Sequence, residues 1–327
     1  MTMCCRWIAQ LLVGERPRDP VSVAERLLAV QAQDLRGARL AVRARSEGLS
    51  ASDVDRALTA ERTLVVTWLN RGTLHLVRSE DLAWLHALTA PTLAATNARR
   101  LRQEGVSEAA AERAVAAIER ALADSGPLTR DELREHLARA RAPVDGQAVV
   151  HVLLLASLRG LVVRGPVAGA DQAYVLVRDW LGEPAPVDRD AALAELARRY
   201  LAGHGPAGDR DLALWSGLPL RDARVGLRAA GAAPERRAAE PPPPRLLGGF
   251  EPVLLGWESR DEILGRHAGA VVSGGIFRPF ALVRGRARGL WRLRRGEVEL
   301  EPLERLSRAE REALGAEAED VARFLAA

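Results

Sequence analysis

The sequence predicts a mainly α fold with β wings: three tandem winged helix-turn-helix units and a small β-rich C-terminal segment. Three observations point there. Helical periodicity over short segments gives way to a strand–turn–strand signal, and that order recurs with variations. Capping residues stand at the expected helix starts. A tract of four prolines, Pro241 to Pro244, forms a stiff connector to a region of short strand-like runs.

Residues 21–30, 35–47 and 51–60 carry apolar positions at helical spacing. Gly48 stops the second, and Ser50 with Asp53 makes a capping box for the third. The runs 63–69 and 73–78 read as strands joined by Asn70-Arg71-Gly72, a hairpin signal. Residues 1–80 thus form a first winged helix. A helical connector, 81–125, contains Arg99, Arg100 and Arg102 and ends at Gly126. The second unit, 126–180, opens with a capping box from Thr129 to Glu132. Its helices cover 130–140 and 146–159, Gly160 stops the latter, and 161–164 with 173–178 form a second wing. A linker, 182–187, leads to a third unit, 188–240, with helices at 189–202, 209–216 and 219–230. Residues 246–327 hold short strands up to 303 and a terminal helix over 307–325.

Composition narrows the function. The chain has 327 residues, 48% of them hydrophobic, enough for several modules sharing a core. No apolar run approaches the roughly 20 residues of a membrane span, and no signal peptide is expected. Cys4 and Cys5 are adjacent, which suits neither a disulfide framework nor a metal site, so a reduced, cytoplasmic setting is expected. All 47 basic residues are arginine. Without lysine there is no P-loop NTPase and no side-chain amine for a Schiff base. The histidines show no metal spacing, and no Rossmann glycines or nucleophile elbow occur. No cofactor or metal is expected. The net charge of +4 is modest for a nucleic-acid binder, so the placement of arginines carries the argument.

The most unusual local feature is Val30-Gln31-Ala32-Gln33-Asp34. An apolar helix face stops, two glutamines follow one residue apart, and Asp34 stands as the N-cap of the next helix. In an extended turn, residues i and i+2 point the same way. Gln31 and Gln33 then read either as an exposed polar turn or as two neutral amides presented into one space. Some forty residues on lies Trp68-Leu69-Asn70-Arg71-Gly72-Thr73-Leu74-His75. Arg71 at the tip suits a phosphate contact. Trp68 reads as core or site, and His75 as a satisfied structural histidine or a contact to DNA. The helix with Val149 to Leu155 is too apolar to read a major groove. Arg221, Arg224 and Arg228 share one helical face, either a phosphate-facing stripe or a solvated basic surface. Arg284, Arg286, Arg288, Arg292, Arg294 and Arg295 form a basic strand-like run.

Together the glutamine turn and the Arg71-Gly72-Thr73-Leu74-His75 hairpin resemble the winged-helix alkylpurine DNA glycosylases of the AlkZ/AlkX type, in the Gln-x-Gln branch. Leu40-Ala41-Val42-Arg43-Ala44-Arg45, Trp215-Ser216-Gly217-Leu218 and Gly274-Gly275-Ile276-Phe277-Arg278-Pro279 fit as well. One block departs: Glu251-Pro252-Val253 stands where the family has Asp-Glu-Tyr before Leu-Leu-Gly. The resemblance implies that Gln31 and Gln33 are the catalytic pair. The expected DNA-binding set is Arg43, Arg45, Arg71, His75, Arg221, Arg224, Arg228 and Arg278. It implies monofunctional hydrolysis of N7- or N3-alkylated purines from duplex DNA by a metal-independent, nucleoid-associated monomer without lyase activity. Unhooking of interstrand crosslinks and self-resistance to DNA-alkylating natural products come with it. A non-catalytic winged-helix DNA-binding protein or regulator is the alternative.

Overall fold

The computed structural model describes residues 2–142, 145–169, 171–231 and 239–326. Residues 232–238, inside the expected third unit, lie outside that set. Helices dominate, and the strands gather in small antiparallel sheets. The chain divides into two compact units: one takes 1–54, 193–215 and 219–327, the other 55–192 and 216–218.

In the first unit, strands run in the order Glu297–Pro302, Arg286–Arg294, Phe280–Val283, Arg245–Leu247. Side chains alternate across this sheet, as strand geometry requires. Leu247, Phe280, Leu282 and Leu290 face a core with Met3, Trp7, Leu12, Val253, Leu254 and Trp257. Leu246, Ala281, Val283 and Trp291 face the other way, onto Leu40 and the terminal helix Arg308–Ala326 through Leu314 and Val321. The sheet is therefore covered on both faces, and the helix Leu35–Arg43 is held against one of them. That helix lies tight on the loop before Glu251. A Cβ at Gly37 would stand 2.7 Å from the Gly249 carbonyl oxygen, so glycine is required there.

The expected helix starts in this unit are largely met, whereas the second helix ends at Arg43, four residues short of the expected stop at Gly48. Pro20–Leu27 is capped by Asp19, and Asp34 caps Leu35–Arg43 by accepting from the Arg36 amide. Ser50 and Asp53 bond each other before Ala51–Thr59. Three helical turns between 252 and 271, Pro252–Leu255, Asp261–Leu264 and Ala268–Val271, occupy a region expected to hold only strands. Four residues are too few to show helical periodicity in sequence.

In the second unit, Leu64–Leu69 and Thr73–Arg78 form the expected hairpin, with Leu69 opposite Thr73. Val162–Ala168 and Asp171–Leu176 form the other. Val66 pairs with Arg164, so the two wings, read as separate in the sequence, join in one sheet. The connector is two helices, Leu82–Gln103 and Glu108–Ser125, the second capped by Ser107. The Thr129–Glu132 capping box opens Arg130–Arg139 as expected. The apolar helix Ala148–Leu158 is a core element, with Val149, Val152, Leu153 and Ala156 buried. No helix among the described residues is long and apolar enough to cross a membrane.

Candidate active site

Leu28 ends the helix Pro20–Leu27 with φ +67, which turns the chain into extended backbone at Val30–Gln31. The helix thus stops three residues short of the sequence expectation. The extended backbone ends at Gln31, the chain bends at Gln33 and Asp34, and the Asp34 side chain starts the next helix. Gln31 is only 7% exposed, and its Oε1 is shielded with no hydrogen-bond partner among the described residues. Gln33 is exposed. The turn is thus half inside and half outside: one amide oxygen kept from solvent and unsatisfied, one amide at the surface. Buried acceptors are nearly always paired, so an unpaired one calls for an explanation such as a strained contact, a bound water or a ligand.

Two expected DNA contacts are corrected. Arg43 is 3% exposed. Its Nη1 donates to Asp320 at 2.7 Å, and its Nη2 to Glu317 at 2.9 Å and to the Leu246 carbonyl at 2.8 Å. Arg45 is fully buried. Its Nη2 donates to Glu251 at 2.5 Å and to Gln10 at 3.0 Å, and its Nη1 to the Ala41 carbonyl. Both guanidinium groups are consumed inside the unit and offer nothing to a phosphate. Glu251 is the residue of the departing sequence block. It is fully buried as the partner of Arg45, a structural role invisible in local sequence.

Arg221, Arg224 and Arg228 lie exposed on the helix Leu220–Ala230. Arg221 pairs with Asp222 at 3.2 Å and Arg224 with Asp209 at 2.6 Å, while Arg228 makes no ion pair with any described residue. The basic strand run is neutralised in part. Arg292 and Arg294 share Glu299, and Arg284 pairs with Glu310.

Sequence reasoning missed Ile276. Val272–Ser273 and Ile276–Phe277 form a hairpin closed by Gly274 and Gly275, both at positive φ. Ile276 at its tip is 61% exposed. Phe277 anchors the base, 5.8 Å from the Phe250 ring and under the Arg260 guanidinium, and exposed Arg278 follows. The Gly-Gly pair is the signal that marks this hairpin in sequence.

In the other unit, Arg71 is exposed at the wing tip. His75 is corrected as a DNA contact. Both faces of its strand are covered, it is 5% exposed, and its Nδ1 lies 2.9 Å from the Thr73 carbonyl. Trp68 is core, stacked on Tyr174. Asn70 is the unexpected member. It sits at φ +54, 2% exposed, and neither amide atom has a hydrogen-bond partner among the described residues. Thr73 Oγ1 is also shielded and unpartnered. Gly217 backs this turn; a Cβ there would meet the Asn70 carbonyl oxygen at 2.7 Å, which explains the glycine of the Trp215-Ser216-Gly217-Leu218 block.

Burial pushes His75 down to about 4, and burial pushes His204 in the first unit down to about 3. Both are neutral when folded near pH 7 and become protonated on unfolding below about 6.5. The unfolded chain therefore binds more protons, so stability is complete above about pH 6.5 and falls as pH drops. Between pH 7.5 and 5 the expected loss is about 2 kcal/mol per histidine. Urea unfolding at the two pH values, with His75→Gln removing part of the difference, checks this. Equal stability at both would contradict it.

Among the described residues, no group of three His, Cys, Asp or Glu side chains converges in a way that could hold a metal ion.

The comparisons with known proteins agree with each other. The family model "DNA glycosylase AlkZ-like" matches residues 24–324. A curated relative from Streptomyces sahachiroi, an interstrand DNA cross-link repair glycosylase, is 30% identical over 345 aligned positions, covering 94% of this chain and 92% of the relative. A solved structure of the Streptomyces sahachiroi DNA glycosylase AlkZ superposes with a TM-score of 0.77 at 25% identity, covering 98% of this chain and 95% of that one. The family match spans both compact units and takes in the glutamine turn, the wing hairpin and the Gly-Gly hairpin, and on that evidence the chain belongs to the AlkZ-like DNA glycosylase family.

Proposed function

We propose that the chain is a monofunctional glycosylase that hydrolyses the N-glycosidic bond of N7- or N3-alkylated purines in duplex DNA, with Gln31 and Gln33 at the reacting sugar. The observation that carries this reading is the shielded, unpartnered Gln31 Oε1 two residues from exposed Gln33, in the turn between two helices. Leaving a buried acceptor unpaired costs about 1–3 kcal/mol, a cost removed when a water O–H donates to it.

The chemistry suits amides. An N7- or N3-alkylated purine nucleotide is already cationic. When the C1′–N9 bond breaks, its electron pair passes to the purine, which leaves neutral, and positive charge remains on the sugar as an oxocarbenium-like species. Water adds to C1′ and gives up a proton to solvent, leaving an abasic hemiacetal. Such a leaving group needs little acid catalysis. What is needed is a held water and acceptors facing the developing charge. The Gln31 carbonyl orients the water, and the Gln33 amide holds sugar or phosphate.

The tandem winged-helix organisation, with the unit bounds given above, and action as a nucleoid-associated monomer are part of this reading. Arg71, Arg221, Arg224, Arg228 and Arg278 supply phosphate contacts that position without reading sequence. Ile276 is an apolar side chain of the kind that wedges into base steps from the minor groove. The Streptomyces relative is named for interstrand cross-link repair, so crosslinked purines are a second substrate class, and self-resistance to an alkylating natural product is the matching role.

A duplex carrying one N7-methylguanine tests the proposal. Free 7-methylguanine should appear by mass spectrometry, undiminished by EDTA. The strand should stay intact until alkali is added, and borohydride should trap no covalent adduct, because the chain has no lysine to form an imine. No release of base, release abolished by the chelator, or an adduct trapped away from the N-terminus would each contradict it.

A further inference from the structure

The first unit carries another basic feature, far in sequence from the glutamine turn. A cavity of about 400 Å³ is lined by the turn Gly265–His267, the strand Arg286–Arg294 and Glu304. Arg266, Arg286 and Arg288 all line it, and Glu304 is its one carboxylate. Three guanidinium groups against one carboxylate leave two positive charges on these side chains, around a space for about a dozen water molecules.

The carboxylate does not use up these donors. Glu304 Oε1 accepts from Arg266 Nη2 and faces His267 Nε2, each at 2.8 Å. The hydrogen bond from His267, with the nearby arginines, holds its carboxyl below the usual range. Arg288 Nε stands 3.6 Å from Oε2, and it is shielded with no hydrogen-bond partner among the described residues. Glu310, the other carboxylate whose charge Arg288 feels, accepts from the Ser307 amide through Oε2 and forms an ion pair with Arg284. Arg286 is exposed and makes no ion pair with any described residue.

The backbone is shaped for this arrangement. Ala287 pairs with Leu282 and Gly289 with Ala281, so Arg288 is an extra residue, a bulge in the strand. Bulges bend a strand and re-aim its side chains. Here the bulge places Arg286, Ala287 and Arg288 consecutively along one cavity.

We propose that this cavity is an anion site that takes a phosphate group, gripped by Arg286 and Arg288 and by Arg266, which Glu304 orients. Tetrahedral oxyanions match the fixed fork of guanidinium donors, and the unpartnered Arg288 Nε gains an acceptor. Two sources carry this chemistry: a phosphodiester of the DNA backbone and a free phosphate. The first rests on the glycosylase reading, the second does not.

The experiment uses the full chain with two probes. Inorganic phosphate is titrated calorimetrically against chloride at matched ionic strength. Undamaged duplex is titrated by fluorescence anisotropy over a salt series. Arg286→Gln leaves ion pairs intact and should keep the fold by circular dichroism; Arg288→Gln is the second variant. Phosphate should bind the wild type, and each variant should weaken it about tenfold or more. If a backbone phosphodiester occupies the site, Arg286→Gln should also lower the salt slope of duplex binding by about one. An unchanged slope with weakened phosphate binding assigns the site to free phosphate. Absence of phosphate binding beyond matched chloride, or binding equal in wild type and both variants, overturns the proposal whatever the fate of the glycosylase reading.

Discussion

Gln31→Ala is expected to slow base release by roughly 30- to 1000-fold while leaving duplex binding nearly unchanged, the loss of ~2–4 kcal/mol of transition-state stabilisation. Gln31 is held 7% exposed, on backbone that turns sharply at Leu28, and its Oε1 has no protein partner among the described residues. A side chain that merely filled a turn would be placed so that its oxygen met solvent or a donor. Removing it should therefore not cost stability, because the variant loses an unsatisfied acceptor. Activity lost while stability is kept or slightly raised separates a working residue from a packing one. Gln33→Ala is expected to slow release by a similar factor, with a stability change below ~0.5 kcal/mol at its exposed position. Gln33→Asp, which puts a carboxylate in place of the exposed amide, should retain or broaden activity. Single-turnover release with duplex affinity measured alongside checks all three, and wild-type rates in both alanine variants would remove the pair from the mechanism.

The second large effect is on stability. Arg45 and Glu251 are a fully buried ion pair. Glu251→Gln is expected to destabilise the protein by about 3–5 kcal/mol, because it strands a guanidinium out of water. Arg45→Met should cost a similar amount, leaving a carboxylate whose Oε2 already lacks a partner. The double variant Arg45→Met, Glu251→Gln should recover most of the loss, since buried pairs replaced together are often neutral. Urea unfolding followed by tryptophan fluorescence is the measurement; Trp7 and Trp257 lie in the adjoining core. Additive losses in the double variant would contradict a coupled pair. The pair matters to the site because Arg45 ties the end of the helix that Asp34 starts to Gln10, which in turn donates to the Gly203 carbonyl. The rigid element that carries the glutamine turn is thus fixed at its far end.

What was legible in the sequence was local. The Asp34 cap, the Thr129–Glu132 box, the three-residue Asn70-Arg71-Gly72 turn and the apolar helix Ala148–Leu158 each depend on neighbours a few residues away, and each is present. What failed depended on distant partners. Arg45 looks like a surface cation until Glu251 arrives from 206 residues on, and Arg43 until Asp320 arrives from 277. His75 alternates with leucines in a way that suits a half-exposed strand, yet its wing is covered on both faces. The orphaned amide of Asn70 could not be anticipated, because the turn signal accounts for an asparagine fully.

In the proposed mechanism neutral amides, and not the adjacent carboxylate, carry the chemistry of this turn. Asp34→Asn tests it most directly. Asparagine caps helices as well as aspartate does, so the variant keeps the start of the helix Leu35–Arg43 while removing the only carboxylate in the 30–34 stretch. The measurement is the single-turnover rate of 7-methylguanine release by Asp34→Asn beside Gln31→Ala. Asp34→Asn is expected to stay within a few-fold of wild type while Gln31→Ala falls by roughly 30- to 1000-fold. A collapse in Asp34→Asn with Gln31→Ala near wild type would contradict it and make Asp34 the base.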